Sequence, residues 1–450
     1  MLSKLDIILF GATGFTGKRT IPKLHDIIKS EKLSLTWGIA GRSEQKLKDT
    51  LKEIEKNDES SFGDIPIIVA DVNDSESLVK MTSRATVVIN MIGPYRFYGE
   101  PIIKACIATS THYIDVTGEP EFMEKIQLYY HDEALKKDVT GEPEFMEKIQ
   151  LYYHDEALKK NIYLISSCGM DSIPCDMGVI YMMKNFSGTL NSIEAFIHTT
   201  EEGGSHPGPS LNYATWESAV HGLANYKNLT EIRSKLFSNR LPQCKPTLKL
   251  RKIPSKNKIT GNWSLPFPGA DRSVALRTQR FLFEQYNQRP VQVHCYYDFE
   301  KYYNAILAIA LGSIFSNMVK YEWSRSLLLK YPRLFSLGSF TLGGPSDEKQ
   351  KASLYNIYLE GEGWSEKLAE PTDEFKSPPN KTISVKVSTR NAAYGATCTA
   401  AVLSAIMILT ESDKMPNGGG CYTPGVAFGN TSLIQKLDKY GMKFEMRSKL

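Results

Sequence analysis

The sequence predicts an α/β fold with a parallel sheet in its first part, a second α+β domain, and a C-terminal segment that returns to the first domain. Over the first 178 residues, short apolar runs alternate with helical patterns, which is typical of βαβ units. From about residue 180, a Gly/Pro-rich loop and a long helical stretch separate the strand-like runs, which indicates an α+β arrangement. The length of 450 residues suits two or three domains.

Domain boundaries follow from this change of pattern, and we place them at 1–178, 179–390 and 391–450. Near-continuous apolar runs predict strands buried on both faces of the first sheet, at 7–10, 35–40, 65–70, 86–91, 112–116 and 162–166. Strands of the second domain are predicted at 192–199, 248–253, 291–299, 352–360 and 382–389. Helices are predicted at 391–409 and near 432–440.

An exact tandem duplication interrupts the first domain, because residues 115–137 and 138–160 are identical. Each copy supplies a turn and an amphipathic helix, so two identical helices compete for one docking site. We expect the strand before the first copy to stay in the sheet and the surplus helix to be displaced outward or stacked on the surface. A recent duplication and an error in assembling the coding sequence remain alternative origins.

A glycine-rich turn directly follows the first strand and opens a helix, with the spacing GxxGxxG over residues 11–17. Such glycines permit a tight turn and close approach of the backbone to a pyrophosphate at the helix N-terminus. We therefore predict a Rossmann-type first domain in which Gly11, Thr13, Gly14, Phe15 and Gly17 bind a dinucleotide. An ordinary glycine-rich βα turn is the alternative.

The end of the second strand indicates which dinucleotide is bound. An acidic residue usually occupies this position in NAD sites, but this chain has Arg42 and Ser43 there. A fixed cation and a hydroxyl suit a 2′-phosphate, so NADP(H) is favoured over NAD(H). The alternative for Arg42 is a solvated side chain at a helix start.

Residues after the third and fourth strands are predicted to border the same cofactor. Asp71 and Val72 would contact the adenine edge, although Asp71 is as well explained as a helix N-cap. Met91, Gly93 and Pro94 would lie near the nicotinamide ribose, since strand ends at this edge line the crevice.

Two candidate catalytic residues lie at predicted strand ends. Tyr95 could stack on the nicotinamide ring or donate a proton, and plain packing is the alternative. Asp171 follows the last strand of the first domain, where an N-cap of the next helix is the stronger interpretation and catalysis the weaker. Seven scattered cysteines without a Cys-x-x-Cys pair give no metal site, so none is predicted.

Several segments together resemble the saccharopine dehydrogenase-like oxidoreductases over nearly the whole length. The segments are GATGFTG (11–17), AGRS (40–43), NMIGPY (90–95), HYIDVTGE (112–119), SSCGMDSIPCD (166–176), ATWESAVHG (214–222), PFPGADRSVALRTQR (266–280) and GGGCYTPGVAFG (418–429). The resemblance implies a Rossmann NAD(P)-binding half, a second α/β domain, and a C-terminal segment that packs back on the first half. Ala214 departs from the glycine that the family tends to have there, and the duplication leaves open whether 115–119 or 138–142 holds the ancestral place.

The resemblance also implies a chemistry. Some bacterial relatives act as enoyl reductases in glycolipid assembly, and animal relatives are associated with lipid droplets and membranes. We therefore expect NADP(H)-dependent hydride transfer to a hydrophobic, lipid-linked carbonyl or enoyl substrate that lies between the two domains. The alternative function is a catalytically silent lipid-surface protein that retains the dinucleotide-binding fold.

The segment 302–342 combines large apolar residues with Lys320, Arg325, Lys330 and Arg333, which suits a helix lying in a lipid interface. A core helix and the face of a homodimer are the alternatives.

The chain ends in Ser448, Lys449 and Leu450, a tripeptide read by the peroxisomal import receptor. We expect a peroxisomal or lipid-droplet location, with no secretion signal at the N-terminus. The net charge of +4 is too small to indicate a nucleic-acid partner.

Overall fold

The computed structural model describes residues 4–58, 62, 64–131, 161–225, 229, 232–234, 236, 240–368 and 370–447. The predicted α/β class is confirmed, with one parallel seven-stranded sheet and one mixed seven-stranded sheet. A third, two-stranded sheet pairs β8 (Leu211–Asn212) with β12 (Phe340–Thr341).

The first sheet is built by alternating strands and helices. In chain order these are β1 (Leu5–Phe10), α1 (Phe15–Ser30), β2 (Trp37–Gly41), α2 (Glu44–Asp58), β3 (Ile67–Val69), α3 (Ser75–Thr82), β4 (Ala85–Asn90), α4 (Tyr95–Ala108), β5 (His112–Asp115), α5 (Pro120–His131) and β6 (Tyr163–Ile165). The spatial order is β15-β6-β5-β4-β1-β2-β3, in which β15 (Gly420–Tyr422) comes from the C-terminal segment. Without β15 this is the 3-2-1-4-5-6 order of the Rossmann fold.

The second sheet has the order β16-β14-β13-β7-β11-β10-β9. Its strands are β7 (Thr189–Glu201), β9 (Ser255–Lys256), β10 (Trp263–Pro266), β11 (Gln292–Phe299), β13 (Ser353–Trp364), β14 (Lys381–Arg390) and β16 (Lys443–Arg447). The predicted strand at 248–253 is wrong, because this stretch pairs with no strand and is held by side chains such as Gln292, which accepts from the Leu248 amide at 2.9 Å.

Helices outside the first βα units connect and cover the two sheets. They are α6 (Ile173–Asn185), α7 (Tyr213–Ala224), α8 (Asp271–Tyr286), α9 (Tyr302–Met318), α10 (Glu322–Lys330), α11 (Pro332–Phe335), α12 (Asp347–Ala352), α13 (Thr397–Thr410), α14 (Pro424–Phe428) and α15 (Leu433–Lys439). A π-helical turn, Ala392–Ala396, precedes α13.

One continuous core joins the two sheets. In β1, Ile7 and Leu9 belong to the cluster that also contains α13, α6 and the second sheet, whereas Ile8 and Phe10 belong to a cluster on the other face. Both faces of β1 are therefore buried, which explains its near-continuous apolar sequence. Helix α6 runs across the predicted domain limit at residue 178, and the C-terminal segment supplies a strand to each sheet. The predicted domain limits stay predictions.

The most apolar helical stretch, Ala392–Thr410, is long and apolar enough to cross a membrane by length and composition alone. Of this stretch, 78% is buried within the protein, where α13 packs against α1 and the first sheet. Its hydrophobicity is thus explained by the core.

The first copy of the duplication occupies the expected place in the sheet. Strand β5 pairs with β4 and β6, and Phe122, Met123 and Ile126 of α5 are buried in the core. The expectation for the first copy is therefore confirmed. The expected displacement of the second helix concerns residues outside the described part of the chain.

Candidate functional site

The glycine turn between β1 and α1 forms a cradle that a side chain would fill. Gly11 has φ +85°, which favours glycine, and a Cβ on Gly17 would lie 2.1 Å from the Gly11 carbonyl oxygen. Helix α1 begins at Phe15 after the N-cap Gly14, and no side chain of the described residues caps it. Its first amides are thus available to an anion, and the cradle fits a pyrophosphate.

The two larger residues of this turn differ in position. Thr13 is exposed at the turn. Phe15 is half-buried, with its ring centroid 4.7 Å from that of Tyr394 and 3.9 Å from the Arg19 guanidinium carbon. A Cβ on Gly344 would meet the Phe15 ring at 2.7 Å. Phe15 therefore packs the glycine turn against Tyr394 and Gly344, which come from distant parts of the chain.

Arg42 and Ser43 lie at the end of β2, as expected from their sequence position. Arg42 is exposed, and no ion pair of the described residues engages it. The Ser43 hydroxyl oxygen accepts from the Lys46 amide at 3.3 Å, which leaves the hydroxyl hydrogen free to donate. Both side chains suit a 2′-phosphate.

Asp71 has a local role different from the alternative we considered. Helix α3 is capped by Asp74, which accepts from the amides of Glu76 and Ser77. The N-cap interpretation of Asp71 is therefore wrong. Its carboxylate instead accepts from the Asn73 amide at 2.9 Å, and the adjacent Val72 is buried.

Residues after β4 form a tightly hydrogen-bonded turn beside the cradle. Met91 and Pro94 are buried and Gly93 is half-buried. The Tyr95 hydroxyl donates to the Asn90 carbonyl oxygen at 3.2 Å. Burial, together with the charge of Asp115, raises the pKa of Tyr95 well above its ordinary value. This geometry favours a structural hydroxyl over a proton donor, although both roles remain predictions.

A buried acidic residue that is not among the predicted site residues organises the start of α4. Glu119 accepts from the Tyr95 amide at 2.8 Å, pairs with Arg96 at 3.1 Å, and accepts from the Ser218 hydroxyl at 3.1 Å. Glu119 belongs to the segment HYIDVTGE (112–119), which carries part of the family resemblance. That resemblance was the signal in the sequence that could have identified Glu119. Because these contacts involve Glu119, the stretch 115–119 holds the structural place that the duplication left open.

Asp115 ties the ends of two strands together. Its carboxylate accepts from the amides of Thr117 and Ser167 and from the Ser166 hydroxyl, each at 3.0 Å. Burial raises the pKa of Asp115 to about 6 despite these hydrogen bonds. The group therefore connects β5 to the loop that carries Asp171.

Asp171 lies in the turn between β6 and α6. Helix α6 has Ser172 as its N-cap, so the favoured N-cap interpretation of Asp171 is wrong. The side chain is exposed, and a Cβ on Gly118 would meet its Oδ2 at 2.6 Å. Surrounding protein atoms remove part of its hydration and raise its pKa. Of the two catalytic candidates, Asp171 is the one that a substrate could reach.

Comparison with known proteins adds the following findings. The family model described as "Saccharopine dehydrogenase NADP binding domain" matches residues 7–141. "Saccharopine dehydrogenase-like oxidoreductase" of Homo sapiens is 36% identical over 448 residues, which cover 98% of this chain and 97% of that protein. "Lipid droplet localized protein" of Caenorhabditis elegans is 31% identical and covers 99% of both chains.

Two further similarities are shorter or more distant. "Trans-acting enoyl reductase" of Mycobacterium leprae is 33% identical over 181 residues, which are 40% of this chain and 36% of that protein. The solved structure of apo saccharopine dehydrogenase (L-Glu forming) from Saccharomyces cerevisiae covers 99% of this chain and 100% of its own, with a TM-score of 0.52 and 12% identity. That structural match supports the fold alone.

Proposed function

The chain belongs to the saccharopine dehydrogenase-like oxidoreductases, and from this premise we propose that it transfers a hydride between NADP(H) and a hydrophobic, lipid-linked carbonyl or enoyl substrate. The family is NADP-binding, so the oxidoreductase class and the cofactor follow from membership. The observation that carries the proposal is the glycine cradle of Gly11 and Gly17 beside the exposed Arg42.

In this proposal, each cofactor-binding residue has a separate task. Backbone amides of the first turn of α1, from Phe15 onward, bind the pyrophosphate, since the Gly14 amide already donates to the Gly11 carbonyl oxygen at 3.0 Å. Arg42 and Ser43 bind the 2′-phosphate. Asp71 and Val72 border the adenine, and Met91, Gly93 and Pro94 border the nicotinamide ribose. NADP(H), when bound, supplies or accepts the hydride. The chain supplies orientation, exclusion of water and a proton donor.

A lipid-linked substrate is supported by the surface of the 302–342 segment. Large apolar side chains there are exposed rather than buried: Tyr302, Tyr303, Ile306, Leu307, Ile309, Leu311, Ile314, Tyr321, Trp323, Leu327, Tyr331, Leu334, Leu337 and Leu342. The core-helix alternative is therefore wrong for most of this segment. So large an exposed apolar surface is unusual in a soluble monomer and marks a contact region.

The inward side of the segment is attached to the protein through Trp216. Trp216 of α7 packs with Phe315, Leu328 and Phe340, and its indole N–H donates to the Leu328 carbonyl oxygen at 2.9 Å. The outward side carries the exposed Lys320, Lys330 and Arg333 among the apolar residues, whereas Arg325 is half-buried and donates to the Val319 carbonyl oxygen at 3.2 Å. We propose that this face lies on an anionic phospholipid surface such as that of a lipid droplet.

The cofactor part is tested by thermal-shift titration with NADPH and NADH. We expect NADPH to raise the melting temperature more than NADH, and Arg42→Glu to reverse or abolish that preference. A shift with neither nucleotide would contradict the cofactor assignment, and equal shifts in the unmodified chain would contradict the role of Arg42.

Oxidation of NADPH with long-chain 3-ketoacyl-CoA or enoyl-CoA then separates an enzyme from a catalytically silent surface protein.

The lipid part is tested by flotation with phosphatidylserine-containing vesicles. We expect Trp323→Glu combined with Leu334→Glu to reduce binding at least tenfold. The matched control is Val69→Glu combined with Val79→Glu, which places the same two charges at exposed apolar residues of β3 and α3 in the first domain. Equal binding of both variants would contradict the proposal, and a monomeric variant derived from a dimeric parent would assign the face to a homodimer.

The peroxisomal expectation rests on Ser448, Lys449 and Leu450, which lie outside the described residues. Import through this tripeptide therefore stays a prediction. A fluorescently tagged chain that still reaches peroxisomes without Leu450 would contradict it.

A further inference from the structure

Helix α7 contacts two different parts of the protein with two different sides. Trp216 and Val220, one helical turn apart, are buried against the 302–342 segment. Ser218 and His221 lie on another side of the same helix, and both contact the first domain. Helix α7 is therefore packed between this segment and the first domain.

The contact of Ser218 reaches the turn that is predicted to border the nicotinamide ribose. The Ser218 hydroxyl donates to Glu119 Oε1 at 3.1 Å, and the same oxygen accepts from the Tyr95 amide at 2.8 Å. Tyr95 directly follows Gly93 and Pro94, beyond the carboxyl end of β4. One carboxylate oxygen thus joins helix α7 to the nicotinamide side of the predicted cofactor site.

The Glu119 carboxylate has other partners besides Ser218. Only 4% of Glu119 is exposed, and its Oε2 accepts from Arg96 Nε at 3.1 Å. Arg96 is fixed in turn by Glu121, at 2.5 Å. Together with the Tyr95 amide, the Arg96 guanidinium satisfies and neutralises the buried carboxylate. The Ser218 hydroxyl is therefore not needed to compensate the charge of Glu119, and its hydrogen bond serves to place α7.

His221 adds a second point of contact between α7 and α4. Its ring packs edge-on against that of Phe97, with the ring centroids 5.1 Å apart. Burial, and then the charges of Arg96 and Arg325, lower the pKa of His221, so the ring is neutral at neutral pH. Because Ser218 and His221 are one helical turn apart, the two contacts determine both the distance and the rotation of α7 relative to α4.

We propose that Ser218 is a positioning residue, whose hydrogen bond to Glu119 holds α7 against the start of α4 and so closes the nicotinamide end of the cofactor site. This inference rests on the proposed function and adds the contact that sets the distance between nicotinamide and substrate. Hydride transfer depends steeply on this distance, since a displacement of about 1 Å can lower a rate by about 100-fold. Closure of this end also excludes water from the reacting groups.

The first test uses NADPH alone. The emission of reduced nicotinamide is stronger, and lies at shorter wavelength, where water is excluded. We expect Ser218→Ala to bind NADPH with a nearly unchanged Kd, because the residues predicted to bind the pyrophosphate and 2′-phosphate are untouched. Its bound NADPH should lose at least half of the emission gained on binding to the unmodified chain. Ser218→Thr keeps the hydroxyl and should restore that emission.

Ser83→Ala is the matched control for Ser218→Ala. The Ser83 side chain is exposed at the end of α3, and its hydroxyl donates to the Lys80 carbonyl oxygen at 2.9 Å. This variant should keep both the affinity for NADPH and the full emission. Equal emission from Ser218→Ala and Ser83→Ala would overturn the proposal, whether or not a substrate is known.

The second test measures turnover with NADPH and long-chain 3-ketoacyl-CoA or enoyl-CoA. We expect kcat of Ser218→Ala to fall about 10- to 100-fold while the KM for NADPH is kept, and Ser218→Thr to recover most of the loss. A raised KM for NADPH with an unchanged kcat would assign Ser218 to cofactor binding and would overturn the positioning role.

The outcomes separate the two proposals. Failure of the unmodified chain to bind NADPH, or to turn over carbonyl and enoyl substrates, counts against the proposed function. NADPH binding by the unmodified chain, together with undiminished emission in Ser218→Ala, overturns the positioning role of Ser218 alone.

Discussion

At the scale of single residues, the closest backbone approach in the nucleotide cradle is between Gly17 and Gly11. We expect Gly17→Ala to lower the free energy of unfolding by roughly 1–3 kcal/mol and to weaken NADPH binding, since its Cβ would lie 2.1 Å from the Gly11 oxygen. Gly222→Ala in α7 is the control, because a Cβ there meets no atom within 4 Å. Urea unfolding and NADPH titration measure both effects, and equal behaviour of the two variants would contradict the packing argument.

Asp176 gives a prediction about pH. Burial raises its pKa to about 6 in the folded protein, against an ordinary value of 3.8. The folded state then binds more protons between these values, so the free energy of unfolding falls as pH rises from about 4 to 6, by roughly 2–3 kcal/mol for this group.

Asp176→Asn should therefore flatten this part of the stability curve. Asp115, with a pKa also raised to about 6, contributes the same trend and should preserve part of the slope. The measurement is urea unfolding at several pH values between 4 and 7. An unchanged slope in the variant would show that Asp176 ionises freely in the folded state.

Some site residues could be predicted from the sequence and others could not. The tight turn at Gly11 and Gly17 was predictable because it depends on local backbone geometry, whereas the cofactor-binding roles of these glycines and of Arg42 stay predictions. The N-cap assignments of Asp71 and Asp171 failed, since the true caps are Asp74 and Ser172, only a few positions further on. Glu119 was missed because its partners Tyr95, Arg96 and Ser218 come from other elements of the fold.

At the scale of elements, helix α5 shows how the duplication is accommodated. Glu124 is buried and pairs with Arg233, with nitrogen–oxygen distances of 2.6 and 2.7 Å, and it also accepts from the Ser273 hydroxyl. Gln127 accepts from the buried Arg277. These contacts, with the buried apolar stripe, occupy the docking site that both copies could fill.

The two copies therefore offer an internally matched comparison. We expect Glu124→Ala to cost about 1–3 kcal/mol of unfolding free energy, because it leaves Arg233 without this carboxylate. The same substitution at Glu147, its equivalent in the second copy, should cost far less. Urea unfolding of both variants measures the two losses of unfolding free energy. Equal losses would mean that either copy can occupy the docking site.

Element positions were predictable where the apolar pattern was long. The strands of the first sheet followed from their buried runs, whereas 248–253 resembled a strand without joining one. Short β10 was missed, since four residues with a terminal proline carry little periodicity. Whether a short or irregular stretch of this kind becomes a strand depends on the segments with which it can pair in the fold.

At the scale of the whole molecule, the C-terminal segment completes both sheets. Strand β15 pairs with β6, and β16 pairs with β14. Both strands are short, and β15 follows a run of glycines, so neither strand was predicted from the apolar pattern. The glycines are needed because the chain passes closely over β6: a Cβ on Gly419 would lie 2.4 Å from the Ile162 carbonyl oxygen.

Gly419→Ala tests whether this closure supports the whole fold. Gly419 and Gly204 both have positive φ, but a Cβ on Gly204 meets no atom within 4 Å. We expect Gly204→Ala to cost about 1–2 kcal/mol, and Gly419→Ala to cost roughly 1–3 kcal/mol more. Thermal unfolding of both variants measures the difference, and similar melting temperatures would argue that β15 is dispensable.

The late position of β15 has a consequence for synthesis on the ribosome. The nucleotide-binding sheet begins at Leu5 but receives its last strand, and the helix α13 that covers one of its faces, only from residues 397–422. Nascent chains fold as they emerge, yet here the first domain must wait for nearly all of the protein. Its uncovered apolar face is thus exposed throughout translation of the second domain, which makes the nascent chain a substrate for chaperones.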